Sequence, residues 1–242
     1  MIKLGDRPVG LYITSVALFI AAVDGVLSTR YSVTFVALGT LILTTAPLFA
    51  GRMLRISLPG GFASAIAVFL YASLFLGEVG RFYEKFWWWD IALHAGSALG
   101  FGLIGGMIML VLVRSEKLLS SAGIAAVFAF SFSVMIGVLW EIFEFGMDQV
   151  FGLNMQKSGL IDTMWDPIVN CLGAAVGATA GWAYLKGFRH IPLAASLLDF
   201  VRKNPLIFRP EPAPGTSAAG EAALRTLSGN VSADPIGDSG ES

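Results

Sequence analysis

The amino-acid sequence predicts an all-α membrane protein, a bundle of about six transmembrane helices followed by a disordered C-terminal tail. Three observations predict it. Of 242 residues, 55% are hydrophobic and only 14% charged, against about 25% charged in an ordinary soluble domain. The hydrophobic residues gather into six stretches, 9–27, 32–50, 60–80, 90–113, 120–144 and 166–186. Each is close to the ~20 residues that one bilayer crossing requires. Composition then changes near residue 199, which divides the chain into a transmembrane domain, 1–198, and a cytoplasmic tail, 199–242.

The first stretch follows Lys3 and Arg7. Its apolar run is longer than a signal-peptide core and no small-x-small cleavage site follows, so it reads as a retained helix. Just before the fourth stretch, Phe82, Tyr83, Phe86, Trp87, Trp88 and Trp89 form an aromatic run of the kind that settles at the headgroup level. In the sixth, Gly173, Gly177 and Gly181 recur every four residues, a spacing that lets two helices approach closely. The lone cysteine, Cys171, lies in the same apolar segment and reads as a packing residue. The tail is rich in Pro, Gly, Ala and Ser, with Pro205, Pro210, Pro212 and Pro214 close together. It has too little apolar surface to offset the entropy of ordering.

Basic residues predict the orientation, because Lys and Arg collect on the cytoplasmic side. Lys3, Arg7, Arg52, Arg55, Arg114, Lys117, Lys186, Arg189, Arg202 and Lys203 fall on one side; Arg30, Arg81, Lys85 and Lys157 fall on the other. Both termini are therefore expected in the cytoplasm. The net charge of −1 and the lack of any basic stripe or reader motif argue against a nucleic-acid partner.

The same orientation gathers the intramembrane polar residues on the outer face. Asp90 and His94 open the fourth helix, Glu141 and Glu144 close the fifth, and Asp166 and Asn170 open the sixth. Glu78 and Asp24 end the third and first. A carboxylate in a span costs roughly 2.5–3.5 kcal/mol at the bilayer centre, so a cluster of them marks a working site. Asp90 and His94 are four apart and share a helix face, which Ser97 continues; Glu141, Glu144 and Asp148 share another if the helix persists to Asp148. Pro167 favours a first-turn position, making Asp166 the expected N-cap of the sixth helix and leaving Asp162 in the preceding loop.

Carboxylates and one imidazole converging from three helices suit a divalent metal: Mg²⁺ or Mn²⁺ on oxygen ligands, or Zn²⁺ accepting histidine with carboxylates. His94, Glu141, Glu144 and Asp166 are the expected ligands, with Asp90 and Asn170 completing the candidate catalytic set. Without an ion, these acids would share protons. Simpler roles also exist: a cap for Asp90 or Asp166, a satisfied core histidine for His94, and interfacial acids at 141 and 144.

The Asp90-to-His94 segment, the Trp140-Glu141 pair with Glu144, and Asp162-Thr163 followed by Trp165-Asp166 resemble the YjdF-like family of bacterial inner-membrane proteins. The likeness covers roughly residues 60–186. A weaker one is to VanZ-type membrane proteins, which share an Asp-x-x-x-His helix start and an Asp-x-x-x-Asn-x-x-Gly helix, here Asp90 with His94 and Asp166, Asn170 and Gly173. The first resemblance implies a multi-pass protein of the bacterial inner membrane without an assigned mechanism. The second implies a link to glycopeptide-antibiotic tolerance at the cell envelope.

The expected function is a membrane-embedded, metal-dependent hydrolase or transferase, acting at the outer face on a lipid, lipid-linked or other small envelope substrate. The alternatives are a cation- or proton-binding transport protein and a structural envelope protein without catalysis. Transport would call for polar residues through the whole bilayer. The cytoplasmic halves of the last three spans are instead almost wholly apolar, apart from serines such as Ser131 and Ser133.

Overall fold

A computed structural model describes residues 7–114, 121–152, 154–156, 159–188 and 190–208. All regular structure among the described residues is helical. Six helices are long and apolar enough to span a membrane, at Val9–Leu27, Tyr31–Met53, Gly60–Val79, Trp89–Val113, Ala122–Phe151 and Thr163–Leu185. They match the six sequence stretches closely, because in lipid a chain segment must satisfy its own backbone polar groups and a continuous helix does so.

Helices α1 (Val9–Leu27), α2 (Tyr31–Leu54) and α3 (Gly60–Leu70) pack on one another. Buried Leu18, Ala22 and Ala37 form a small core among them, covered by Tyr71 and Phe75. From Tyr71 to Val79 the third span continues as π-helix. Hydrogen bonds between residues five apart widen the turn and put Ser73 and Glu78 on one face, where both line the same cavity. A short helix, α4 (Phe82–Lys85), carries the chain across the bundle end. The aromatic run folds on itself here: Phe82 stands edge-on to Phe86 and Trp89, and Trp88 leans on Trp89.

The second group is α5 (Trp89–Arg114), α6 (Ala122–Phe151) and α7 (Leu160–Leu185), with α5 and α7 the most extensively packed pair. Small residues make this contact. A side chain on Gly177 would lie 3.0 Å from the Gly102 Cα and one on Gly181 3.6 Å from the Gly106 Cα; on the α6 side of α5, one on Gly105 would lie 2.8 Å from the Ala129 Cα. The glycine spacing read in the sixth span is therefore matched by glycines on α5.

Three boundaries differ from the sequence expectation. Helix α6 runs on past the expected end at 144 to Phe151, so Asp148 is helical too. Helix α7 starts at Leu160 with Gly159 at its N-cap, so Asp166 is not the cap but lies in the second turn. Asp162 is inside the first turn, and its side chain lies outside those described. Pro167 therefore lies inside α7, where it withholds an N–H from the Thr163 carbonyl and its ring crowds that carbonyl. Lastly, the chain from 199 to 208 is not yet tail but belongs to two helices joined at Asn204. The amphipathic α8 (Pro192–Lys203) buries Ala194, Leu197 and Phe200 against Leu103, Met107, Leu110 and Tyr184, and α9 (Pro205–Phe208) follows. The tail expected beyond, from Arg209 onward, lies outside the described residues.

Candidate metal centre

Three every-fourth-residue stripes build the site. On α5 the stripe is Asp90, His94, Ala98, Gly102 and Gly106; on α6 it is Ala129, Ser133, Gly137 and Glu141; on α7 it is Asp166 and Asn170, then Gly173, Gly177 and Gly181. Residues four apart stack on one helix face, so each helix turns small residues to its neighbours at depth and polar ones at the end. Cross-links between stripes fix the register. Ser133 Oγ donates to the Ala98 carbonyl at 2.6 Å. A Cβ on Gly137 would stand 2.5 Å from Asn170 Nδ2. One turn further along α6, Glu141 then meets His94.

The His94 ring is 8% exposed and has an acid on each nitrogen. Nε2 lies 3.8 Å from Asp90 Oδ1 and 3.8 Å from Asp166 Oδ2; Nδ1 lies 3.9 Å from Glu141 Oε1. Asp166 and Glu141 are buried, and Asp90 is half-buried. Asp90, His94 and Asp166 each present a ligand atom within 4.8 Å of the others, a group able to hold a metal ion. Ligands bonded at about 2.0–2.2 Å to one ion sit roughly 3–3.5 Å apart in a tetrahedral arrangement. The 3.8 Å separations exceed that by a few tenths of an ångström, within the reach of small side-chain rotations.

This group differs from the ligand set expected from sequence. Asp90 joins His94 and Asp166 at Nε2, whereas Glu141 occupies the Nδ1 side. A carboxylate in that place orients a metal-ligating imidazole and fixes its tautomer. Glu144 stands apart from the three, accepting a 2.8 Å hydrogen bond from Trp140 Nε1 one turn earlier. Asp148, left out of the candidate set, accepts from the backbone N–H groups of Met155 and Gln156 at 2.7 and 3.0 Å. It holds the α6–α7 connection.

A cavity of about 550 Å³ opens beside the group. Asp90, His94, Glu144 and Asn170 line it, together with Glu78 and Tyr83, which sequence reading had not placed in the site. The signal for Tyr83 was faint: it sits in the aromatic run, and a side chain on Gly77 would overlap its ring. Its phenol is within 3.4 Å of Ser73 Oγ. Burial pushes the Tyr83 phenol up to about 12, helped by the nearby charges of Asp90, Glu78 and Glu144 and opposed by the Ser73 hydrogen bond. Tyr83 is thus a neutral hydroxyl at any physiological pH.

Asn170 is 1% exposed, and neither its Oδ1 nor its Nδ2 has a hydrogen-bond partner in the structure. A buried amide in that state costs roughly 1–3 kcal/mol, which marks the position as one that stability alone does not explain.

The chain is 35% identical over 107 residues to an uncharacterized protein of Thermotoga maritima, a match that covers 44% of this chain and 53% of the relative. It therefore spans about half the length of that relative. No solved structure matches. The family model described as "Predicted membrane protein (DUF2238)" matches residues 9–187, which take in all six spans and every residue of the site, and the chain belongs to that family.

Proposed function

We propose that this protein is a membrane-embedded, metal-dependent hydrolase or transferase acting on a lipid or other envelope substrate. One observation carries the reading: a buried imidazole with two aspartates at Nε2 and a glutamate at Nδ1. Asp90, His94 and Asp166 would hold the ion, and the mixed nitrogen and oxygen donors favour Zn²⁺ or Mn²⁺ over Mg²⁺. When bound, the metal supplies Lewis acidity, polarising an ester or phosphoryl oxygen and acidifying water. Glu141, 3.9 Å from Nδ1, would orient the ring from the side away from the ion. Glu144, on the cavity wall and held by Trp140, would take a proton from an attacking hydroxyl. Tyr83 would offer a neutral O–H from the same wall.

Transport fits less well. Below the polar group, α5, α6 and α7 close on one another through Gly102, Gly105, Gly177 and Ala129, small apolar positions rather than a polar path among the described residues there.

Elemental analysis of the purified protein tests the proposal. One equivalent of Zn or Mn per chain is expected, lost in His94→Ala. Glu141→Gln should weaken binding by about 10–100-fold, as outer partners of metal ligands do, while Glu144→Gln should leave it unchanged. Absence of stoichiometric metal from the wild-type protein would sink the reading. The charge asymmetry further supports an inner-membrane protein with the site outward and both termini inward. Reporter fusions at Ser158 and after Arg209 should then report opposite sides, and a periplasmic C-terminal reporter would reverse that orientation.

A further inference from the structure

We infer that the cavity beside the metal group takes a membrane lipid whose polar end is uncharged, of the diacylglycerol class, and that this lipid enters sideways from the bilayer. The inference deepens the reading of this cavity as a substrate site, but it does not depend on metal occupancy.

The walls argue for a lipid. Leu74, Phe69, Phe101 and Ile136 line the cavity, an apolar surface suited to hydrocarbon. Its rim is not closed by protein. Leu43, Leu139, Trp140 and Phe143 line the cavity and are also 48%, 53%, 44% and 48% exposed. In a membrane-spanning bundle that exposure is to lipid, and α6 packs chiefly on α5 and α7 rather than on α2 and α3. An acyl chain can therefore pass between the two helix groups without crossing water.

The polar end argues for a neutral headgroup. Asn170 brings one acceptor and two N–H donors to the cavity with no protein partner for either end, and Gly137 clears the space beside it. An ester carbonyl or a hydroxyl satisfies such an amide. Among the described lining residues there is no Lys or Arg, while Glu78, Asp90 and Glu144 are acidic. One divalent ion would balance two of these acidic groups, and the described lining supplies no basic side chain beside the rest. A phosphate headgroup would meet net negative charge with or without the metal.

The test is photolabelling of the full-length protein in lipid nanodiscs with two diazirine probes, diacylglycerol and phosphatidic acid, carrying identical acyl chains. Diacylglycerol should label peptides from 67–79 and 133–144, at least about tenfold more than phosphatidic acid does. In Asn170→Leu that labelling should fall by about tenfold, the equivalent of one buried hydrogen bond. Leu74→Trp, which fills the wall, should abolish it and serves as the second variant if Asn170→Leu does not accumulate. Equal labelling by the two probes, labelling confined to α1, or labelling indifferent to both variants would each overturn the inference. Specific labelling of a protein that carries no metal would leave the lipid site standing and remove only the metal-dependent reading; a stoichiometric metal without labelling would do the reverse.

Discussion

Two asparagines lie buried at opposite ends of the helical core, and they are used in opposite ways. Asn204, 4% exposed, accepts from the Ser57 backbone N–H at 2.7 Å and donates to the Ser57 and Phe200 carbonyls at 2.9 and 2.7 Å. It ties the end of α8 to the loop between α2 and α3. Asn170, 1% exposed, makes none of these bonds and faces a cavity. The first end is built for stability, with Leu197, Phe200 and Tyr184 packed around it. The second end keeps a polar group unsatisfied beside an acid-flanked histidine. Satisfied and unsatisfied amides therefore separate the scaffold of this protein from its site.

The largest difference should appear in substitutions of the two residues. Asn204→Ala removes three hydrogen bonds and strands the Ser57 backbone, so thermal unfolding in detergent should show a loss of about 2–4 kcal/mol. Asn170→Leu should be neutral or stabilising by up to about 1 kcal/mol, because it deletes a buried group with no partner. Comparable losses at both positions would dissolve the contrast. The close α5–α7 contact that joins the two ends is probed by Gly177→Ala. Its new methyl would stand 3.0 Å from the Gly102 backbone, and overpacking of this kind costs about 1–3 kcal/mol. It should also loosen metal binding, since the register of Asp166 against His94 depends on that contact.

Much of this was legible in the residues, for a definite reason. Asp90, His94, Glu141, Asp166 and Asn170 stand out because an apolar span excludes such groups unless they do something. Helical periodicity then forces Asp90 and His94 onto one face. What escaped reading is the division of labour. Glu141 and Glu144 look equivalent at a helix end, and only the register of α6, held by Ser133 and Gly137, turns Glu141 to the imidazole, while Glu144 stays with Trp140 one turn back on its own helix. Asp90 joins the aspartate of another helix for the same reason. Tyr83 escaped because an aromatic run reads as a membrane belt whichever ring turns inward.

The smallest effect expected lies on the cavity wall and appears only at high pH. The ordinary phenol value is 10.0 and the Tyr83 value is raised to about 12, so between those values the unfolded chain loses this proton while the folded chain retains it. Stability should therefore fall as pH rises from 10 to 12. An absorbance titration should show a late-ionising component that disappears in Tyr83→Phe. A titration curve without a late component lost in that variant would remove Tyr83 from the buried wall.

The sequence by itself determined the membrane class, the six spans and the set of polar residues, because bilayer length and the cost of intramembrane charge act on each segment separately. Only the tertiary structure decided which acid faces which ring nitrogen, that Glu78 and Tyr83 join the cavity, and that residues 199–208 cap the opposite end. Those outcomes depend on contacts between helices far apart in the chain, set by where small residues let backbones approach, and no single segment carries that information.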